Sequence, residues 1–442
     1  MDGSEHKAYS EGLNEIGLGK DKLDKMAKDA KFIVRNRKIT ASKIVDAYCS
    51  AAVKGFPSCR KAAAAIESGG GGLTSKQAVH KKTGASFLLF LTSVLGWLLA
   101  AKTRMAEALG QLKTPAHGYK RILIQDSTVI KLPAALWEEF SGVANKHGKS
   151  CNARIQAAYD LVSESFIQFS IDPYSKNDLS AAPGLKLQDG DLVLRDRGYF
   201  MPGEIKRHID ASAHCIYRFK AKTVLIDPQT NKRVNLLEAL RGGKSIDAQF
   251  FLNNAERSKV RIAAVPISEK EAGEKRSRLI EDSKHSPSEE SLALQSWAIF
   301  VTTIPQEEAG FEQLYMFYSL RWRIETIFKT WKSSLSFTKF TNCSSIQLRA
   351  AITARLIAAT LVTQYVYGCY APKIQESADK MLSLAKTVEY IALYPAKIPS
   401  LLRELKSCKE GLGNAGKALA MYCCYDKRKR NNFQQMYQFA CP

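Results

Sequence analysis

The stretch from Phe317 to Lys332, FYSLRWRIETIFKTWK, constrains this chain more than any other. Wound as an α-helix at roughly 100° per residue, it gathers Tyr318, Arg321, Trp322, Glu325, Lys329 and Lys332 on one face. Met316, Phe317, Leu320, Ile324, Ile327, Phe328 and Trp331 fall on the other, and that arc has to be buried against a larger core. One carboxylate among an arginine, two lysines and a tyrosine suits a phosphodiester site, with Glu325 on a metal ion and the cations on phosphates. Arginine and glutamate four apart are equally the mark of an ordinary solvated helix face.

Two aspartates upstream bear on that choice. Arg121 to Pro133, RILIQDSTVIKLP, alternates apolar and polar residues and reads as a strand, with Ile122, Ile124 and Val129 or Ile130 inside and Asp126 among them. A carboxylate there is costly unless it is paired, at an edge or bound to a cation. Two further strands, ARIQAAYDLVS and ESFIQFSID, follow across a turn near Ser163 to Ser165. In DLVLRDRGYF, Asp196 stands just past Leu192, Val193 and Leu194, with Gly198 expected to make the turn and Tyr199 and Phe200 to cover it. The carboxyl end of a strand is where α/β sheets place ligand groups, although an aspartate at a turn is also a common cap. Pro202 to Asp210 reads as a helix and HCIYRFK as another strand.

The spacing Tyr318-x2-Arg321-x3-Glu325-x6-Lys332, preceded by Asp126 and Asp196, resembles the DDE transposases of bacterial insertion sequences that carry a Tyr-Arg-Glu-Lys signature, the insertion-sequence-four family. The resemblance covers about Ile122 to Leu335 and is weaker outside it. It implies an α/β fold: a ribonuclease-H-like catalytic core with a β-strand insertion, plus helical N-terminal and C-terminal domains. The expected boundaries are 1–115 for a helical DNA-binding domain, 116–220 and 296–365 for the core, 221–295 for the insertion and 366–442 for a helical C-terminal region. The strand-rich stretches VLIDPQTNKRVNLL, AQFFL, KVRIAAVPI and WAIFVTTIP fill the long gap before Glu325, interrupted by the charged segment Ser268 to Glu290.

The resemblance also implies the chemistry. Asp126, Asp196 and Glu325 are the expected catalytic and metal-binding residues. Clustered carboxylates repel one another unless cations sit among them, and all-oxygen ligands favour Mg2+, with Mn2+ as a substitute, over zinc. Two such ions about 3.5–4 Å apart activate a water or a 3′-hydroxyl on one side and stabilise the leaving oxygen on the other, so one site can cut and join. Tyr318, Arg321, Lys329, Lys332, Trp322 and Trp297 are the DNA-binding candidates. Trp297 either receives a base flipped out of the duplex or is an ordinary core tryptophan. The expected partners are double-stranded DNA, as terminal inverted repeats and target, and a second copy of the chain in a synaptic homodimer. A regulator that binds DNA without cutting it, or a decayed transposase, is the alternative.

Composition agrees. There are 65 lysines and arginines against 43 acids, a net charge of +22, which favours a polyanionic partner. The N-terminal helical region carries Lys28, Lys31, Arg35, Arg37, Lys38, Lys43, Lys54, Arg60 and Lys61. Ser58 to Glu67 and Ser75 to Lys82, joined by a glycine-rich loop, are spaced loosely like a helix-turn-helix and equally like two helices of a bundle. The cysteines show no CxxC pair and the polar N-terminus is no signal peptide, so a cytoplasmic protein with reduced thiols is expected. Thr83 to Ala101 is uncharged but diluted by Thr, Ser and Gly, and is expected to be a buried helix rather than a membrane span. Leu348 to Tyr370 reads as a long apolar helix, and Lys427 to Arg430 form a basic tail.

Overall fold

A computed structural model describes residues 7–35, 38–108, 118–145, 148–176, 184–283, 286–408 and 411–426. Arg37 and the cluster Lys427 to Arg430 lie outside them. Among the described residues one mixed sheet has eleven strands: β1 (Arg121–Leu132), β2 (Ser141–Asn145), β3 (Gly148–Asp160), β4 (Ser165–Pro173), β5 (Asp191–Arg195), β6 (His214–Arg218), β7 (Leu225–Ile226), β8 (Arg233–Val234), β9 (Ile246–Leu252), β10 (Lys259–Pro266) and β11 (Trp297–Thr302). β3 lies antiparallel to β1 and to β4, while β5 and then β6 run parallel to β1. From β6 the order continues through β11, β10, β9 and β7 to β8. These strands therefore extend the sheet in line with β6, through the pairing of Phe300 with Arg218 and Thr302 with Ile216.

β1 is covered on both faces. Ile122, Ile124 and Ile130 bury into one core and Leu123 into the other, as expected of a central strand. The turn after β3 is closed by Asp160, whose buried carboxylate accepts from the Ile122, Val162 and Ser163 amides at 3.2, 3.1 and 3.2 Å and from the Ser163 hydroxyl at 2.6 Å. Four donors offset the cost of burying a charge there. Past β5, Asp196 enters a single 3-10 turn, Arg197–Tyr199, that needs no left-handed residue, so the turn does not depend on Gly198. Tyr199 and Phe200 are buried over it, and the Tyr199 hydroxyl donates to Gln156 on β3 at 2.7 Å.

Helices cover the sheet. On the N-terminal side, Thr40, Ser58 and Ser75 cap the helices Ala41–Val53, Cys59–Ile66 and Lys76–His80 with their hydroxyls. Gly70 and Gly72 take φ of +77° and +72° between the last two. The helix Ala85–Ala108 buries Phe87, Phe90, Leu91, Val94 and Leu98 and exposes Leu89. It is not the most membrane-like run. Ser345–Ala378 is the one described helix long and apolar enough to cross a membrane, and 83% of its apolar window is buried inside the protein. That run packs on Ala85–Ala108 and Ala41–Val53 and carries a π-helical turn over Leu361–Tyr367. The described cysteines form no disulfide.

The stretch from Phe317 to Lys332 is not one helix. Phe311–Ser319 and Trp322–Ser334 are separate helices joined at Leu320 and Arg321, whose amides bond three residues back to Phe317 and Tyr318 at 3.1 Å each. Both joining residues keep right-handed dihedrals, so the break is a tightening of one turn. The apolar arc is buried as the periodicity requires, with Met316 partly exposed. Leu320, Ile324, Ile327, Phe328 and Trp331 each contribute about 1.5–3 kcal/mol of burial free energy. The other face is less open than a straight helix would make it, since Tyr318 and Arg321 are also buried.

Candidate active site

The sheet register brings the two aspartates together. Gln125 on β1 pairs with Arg195 on β5, so Asp126 and Asp196 are the next step along adjacent parallel strands. They share the face of Ile122, Ile124, Leu192 and Leu194, against which the Trp322–Ser334 helix packs. From that helix, and from the turn before it, come the remaining groups. Arg321 Nη1 donates to Asp126 Oδ2 at 2.8 Å and its Nη2 forms an ion pair with Glu325 Oε1 at 2.6 Å, while the Tyr318 hydroxyl donates to Asp196 Oδ1 at 3.2 Å. The Ser127 amide donates to Asp126 Oδ1 at 2.8 Å.

Burial dominates the electrostatics of Asp126 and pushes its carboxyl up to about 6; Arg321 and the Ser127 amide pull it down, and Glu325 and Asp196 push it further up. Burial likewise raises the Tyr318 phenol, helped by Asp196. Arg321 is buried against its charge, yet Tyr318, Asp126, Glu325 and Asp196 hold its guanidinium well above the ordinary range. Asp126 in β1, Asp196 just past β5 and Glu325 on the helix packed against the sheet are oxygen donors of the kind that a hard divalent cation takes. As placed, no three acid, histidine or cysteine side chains among the described residues stand close enough to share an ion, and the Arg321 guanidinium lies between Asp126 and Glu325.

The other sequence candidates spread outward from this centre. Lys332 is half-buried, and burial lowers its ammonium. Trp322 is 54% exposed, with the Lys329 ammonium 5.8 Å from its ring centre. Trp297 lies at the start of β11, donates its indole N–H to the Lys244 carbonyl at 3.1 Å, and lines a cavity of about 630 Å³ that opens beside Asp196. Six cations line that cavity: Arg197, Arg218, Lys220, Lys222, Lys275 and Arg278.

Several charged groups were invisible to spacing. Arg218, at the end of β6, lies 5.3 Å from the Tyr318 ring centre and 5.1 Å from that of Phe300. Arg154 on β3 donates to the Ser127 hydroxyl at 3.1 Å. Arg323 points away from the carboxylates and pairs with Glu164 in the β3–β4 turn at 3.1 Å. The sequence signal at Arg323 was its place beside Ile324 on the buried side of the helix, where an arginine needs a partner.

A family model described as "Transposase DDE domain" matches residues 118–361, more than half of the 442-residue chain. The transposase for insertion sequence element IS231D of Bacillus thuringiensis subsp. finitimus is 26% identical over 373 residues, 78% of this chain and 77% of that protein. The transposase for IS1151 of Clostridium perfringens is 24% identical over 405 residues, covering 86% and 84%. That for IS421 of Escherichia coli is 24% identical over 377 residues, covering 82% and 94%. A solved structure titled a piggyBac transposase synaptic complex with hairpin DNA aligns with 98% of this chain and 87% of that one at 10% identity and a TM-score of 0.43, too remote a likeness to bear on the fold.

Proposed function

The chain belongs to the DDE-domain transposases and is a metal-dependent DNA transposase, and from that premise we propose that it moves its element by cut and paste, with Asp126, Asp196 and Glu325 as the metal-binding carboxylates. The observation that carries this reading is the single Arg321 guanidinium bonded to both Asp126 and Glu325, beside a Tyr318 hydroxyl bonded to Asp196. Residues far apart in sequence converge on one polar cluster that a purely structural helix would not need. The strand order β4, β3, β1, β5, β6, antiparallel on one side of β1 and parallel on the other, supports a ribonuclease-H-like core. We assign residues 116–220 and 296–365 to it, 221–295 to the insertion, 1–115 to end binding and 366–442 to a helical C-terminal region.

When bound, Mg2+ or Mn2+ supplies the Lewis acidity that phosphodiester hydrolysis and transesterification require. The protein's share is placement. Arg321 has the planar fork that matches a phosphate, and Tyr318 fixes the rotamer of Asp196. Lys332, half-buried on the helix that carries Glu325, adds a point charge, and Lys329, Trp322 and the basic cavity at Trp297 extend the DNA surface outward. The substrate is double-stranded DNA, as terminal repeats and target, held by a synaptic homodimer in the bacterial cytoplasm.

The test is cleavage of a labelled duplex carrying the DNA that flanks the coding region, with Mg2+ or Mn2+, by wild type and by Glu325→Ala. Metal-dependent nicks at discrete ends from the wild type alone, with end binding kept in the variant, support the reading. Duplex that is bound and left uncut by both would move the assignment to a regulator or a decayed copy.

A further inference from the structure

Arg321 does more than border the carboxylates. Its two terminal nitrogens are each spent on a different acid, at 2.8 Å on Asp126 and 2.6 Å on Glu325, and its Nε is buried without a hydrogen-bond partner. A guanidinium is rigid and planar, so it fixes how far apart the two acceptors stand. A hard cation asks for a closer arrangement, with both oxygens about 2.0–2.6 Å from one centre. No three ligand side chains among the described residues meet that requirement. The bond also joins the sheet to the helix: Asp126 is on β1, and Glu325 is in the first turn of Trp322–Ser334. A protein cation thus holds the two elements at a spacing that a metal ion would shorten.

An arginine does not lose its proton, and another anion offsets best the loss of two carboxylate partners. Phosphate is the anion that its fork fits in bidentate fashion, and Trp322 and Lys329 stand exposed on the same helix as Glu325.

We propose that Arg321 is an internal stand-in for the metal ion, keeping Asp126 and Glu325 apart until a DNA phosphate takes its guanidinium. This rests on reading Asp126, Asp196 and Glu325 as the metal site. Ion loading then follows DNA docking, and the free protein is poorly armed for indiscriminate cutting.

The experiment measures Mn2+ binding to the full-length protein without DNA, by the electron paramagnetic resonance signal of free Mn2+, for wild type, Arg321→Met and Asp126→Asn. Arg321→Met keeps the bulk of the side chain and removes its charge. Expected is Mn2+ bound at least tenfold more tightly than by wild type. A bridge that merely braces the site would give the opposite sign, so unchanged or weaker binding overturns the proposal. Asp126→Asn separates the two readings. If it weakens Mn2+ binding while Arg321→Met does nothing, the stand-in alone falls; if it leaves Mn2+ binding untouched, the carboxylate site falls with it. Should Arg321→Met fail to fold by thermal melting, Arg321→Gln, which also removes the charge, is held to the same sign.

Discussion

Tyr318 donates its hydroxyl to Asp196 across 122 residues of sequence, while its ring packs 5.3 Å from that of Phe300 on β11. The two contacts do different work. The ring anchors the Phe311–Ser319 helix to β11, and the hydroxyl reaches back to the carboxyl end of β5. One side chain thereby ties a carboxylate rotamer to the seating of the helices that carry Arg321 and Glu325.

Tyr318→Phe separates those contributions. The ring stays packed, and a charge-assisted hydrogen bond of about 1.5–3 kcal/mol is lost. We expect strand cleavage slowed by roughly ten- to a hundredfold, with affinity for the DNA ends and the melting temperature nearly unchanged. Single-turnover cleavage beside gel-shift titration checks it, and a parallel fall in affinity and melting temperature would make Tyr318 a packing residue only.

Asp46 predicts a pH effect remote from the site. Its carboxylate accepts from the Tyr9 and Ser10 amides at 3.0 and 2.8 Å and from the Ser10 hydroxyl at 2.5 Å, at the start of the helix Ala8–Glu15. Burial pushes its pKa up to about 7 in spite of those donors. An acid whose pKa is raised by folding binds its proton more tightly in the folded state, so its stabilising share is present at about pH 4 and lost as pH rises through about 7. Asp46→Asn keeps an acceptor without the charge. Relative to wild type, its melting temperature should gain as pH goes from 5 to 8, and a difference that is flat with pH would refute this.

Arg355 is the clearest case of a charge that only the fold explains. It is fully buried in the helix Ser345–Thr360 and donates to the carbonyls of Ala52, Gly55 and Lys339 at 2.9, 2.8 and 2.7 Å, with Phe340 4.3 Å from its guanidinium carbon. Burial lowers its pKa to about 9. Two of its acceptors lie at the carboxyl end of Ala41–Val53, where the helix dipole favours a cation. Arg355→Ala should cost about 3–5 kcal/mol by chemical denaturation, since three buried carbonyls lose their donor. A loss below about 1 kcal/mol would mean that water replaces the side chain.

What the sequence made legible, and what it hid, follows from the range of the interactions. Asp126 stood out because a carboxylate in an apolar strand conflicts with its own neighbours, and the buried arc from Leu320 to Trp331 because periodicity is local. The break at Leu320 and Arg321 left no trace, since neither residue is glycine or proline and both stay right-handed. Arg323 and Arg355 find their partners in distant segments, at Glu164 and at Ala52, Gly55 and Lys339. No spacing rule connects such pairs. The strand-rich character of residues 221–305 was readable, whereas the pairing of that part onto β6 through β11 was set by register between residues some eighty apart, such as Thr302 and Ile216.

Arg218 carries the last prediction. It lies beside the packed pair of Phe300 and Tyr318, 5.1 and 5.3 Å from their ring centres, and lines the cavity that opens at Asp196 and Trp297. Two aromatic faces hold the guanidinium in place, so little rotamer entropy is lost when it meets a phosphate. If it neutralises one phosphate, Arg218→Gln should weaken binding to cognate and unrelated duplexes alike and lower the slope of log affinity against log salt by about 1. Affinity titrated at several salt concentrations on both duplexes reads this directly. A loss confined to the cognate duplex would assign Arg218 to a base, and an unchanged slope would leave it a support for Tyr318 alone.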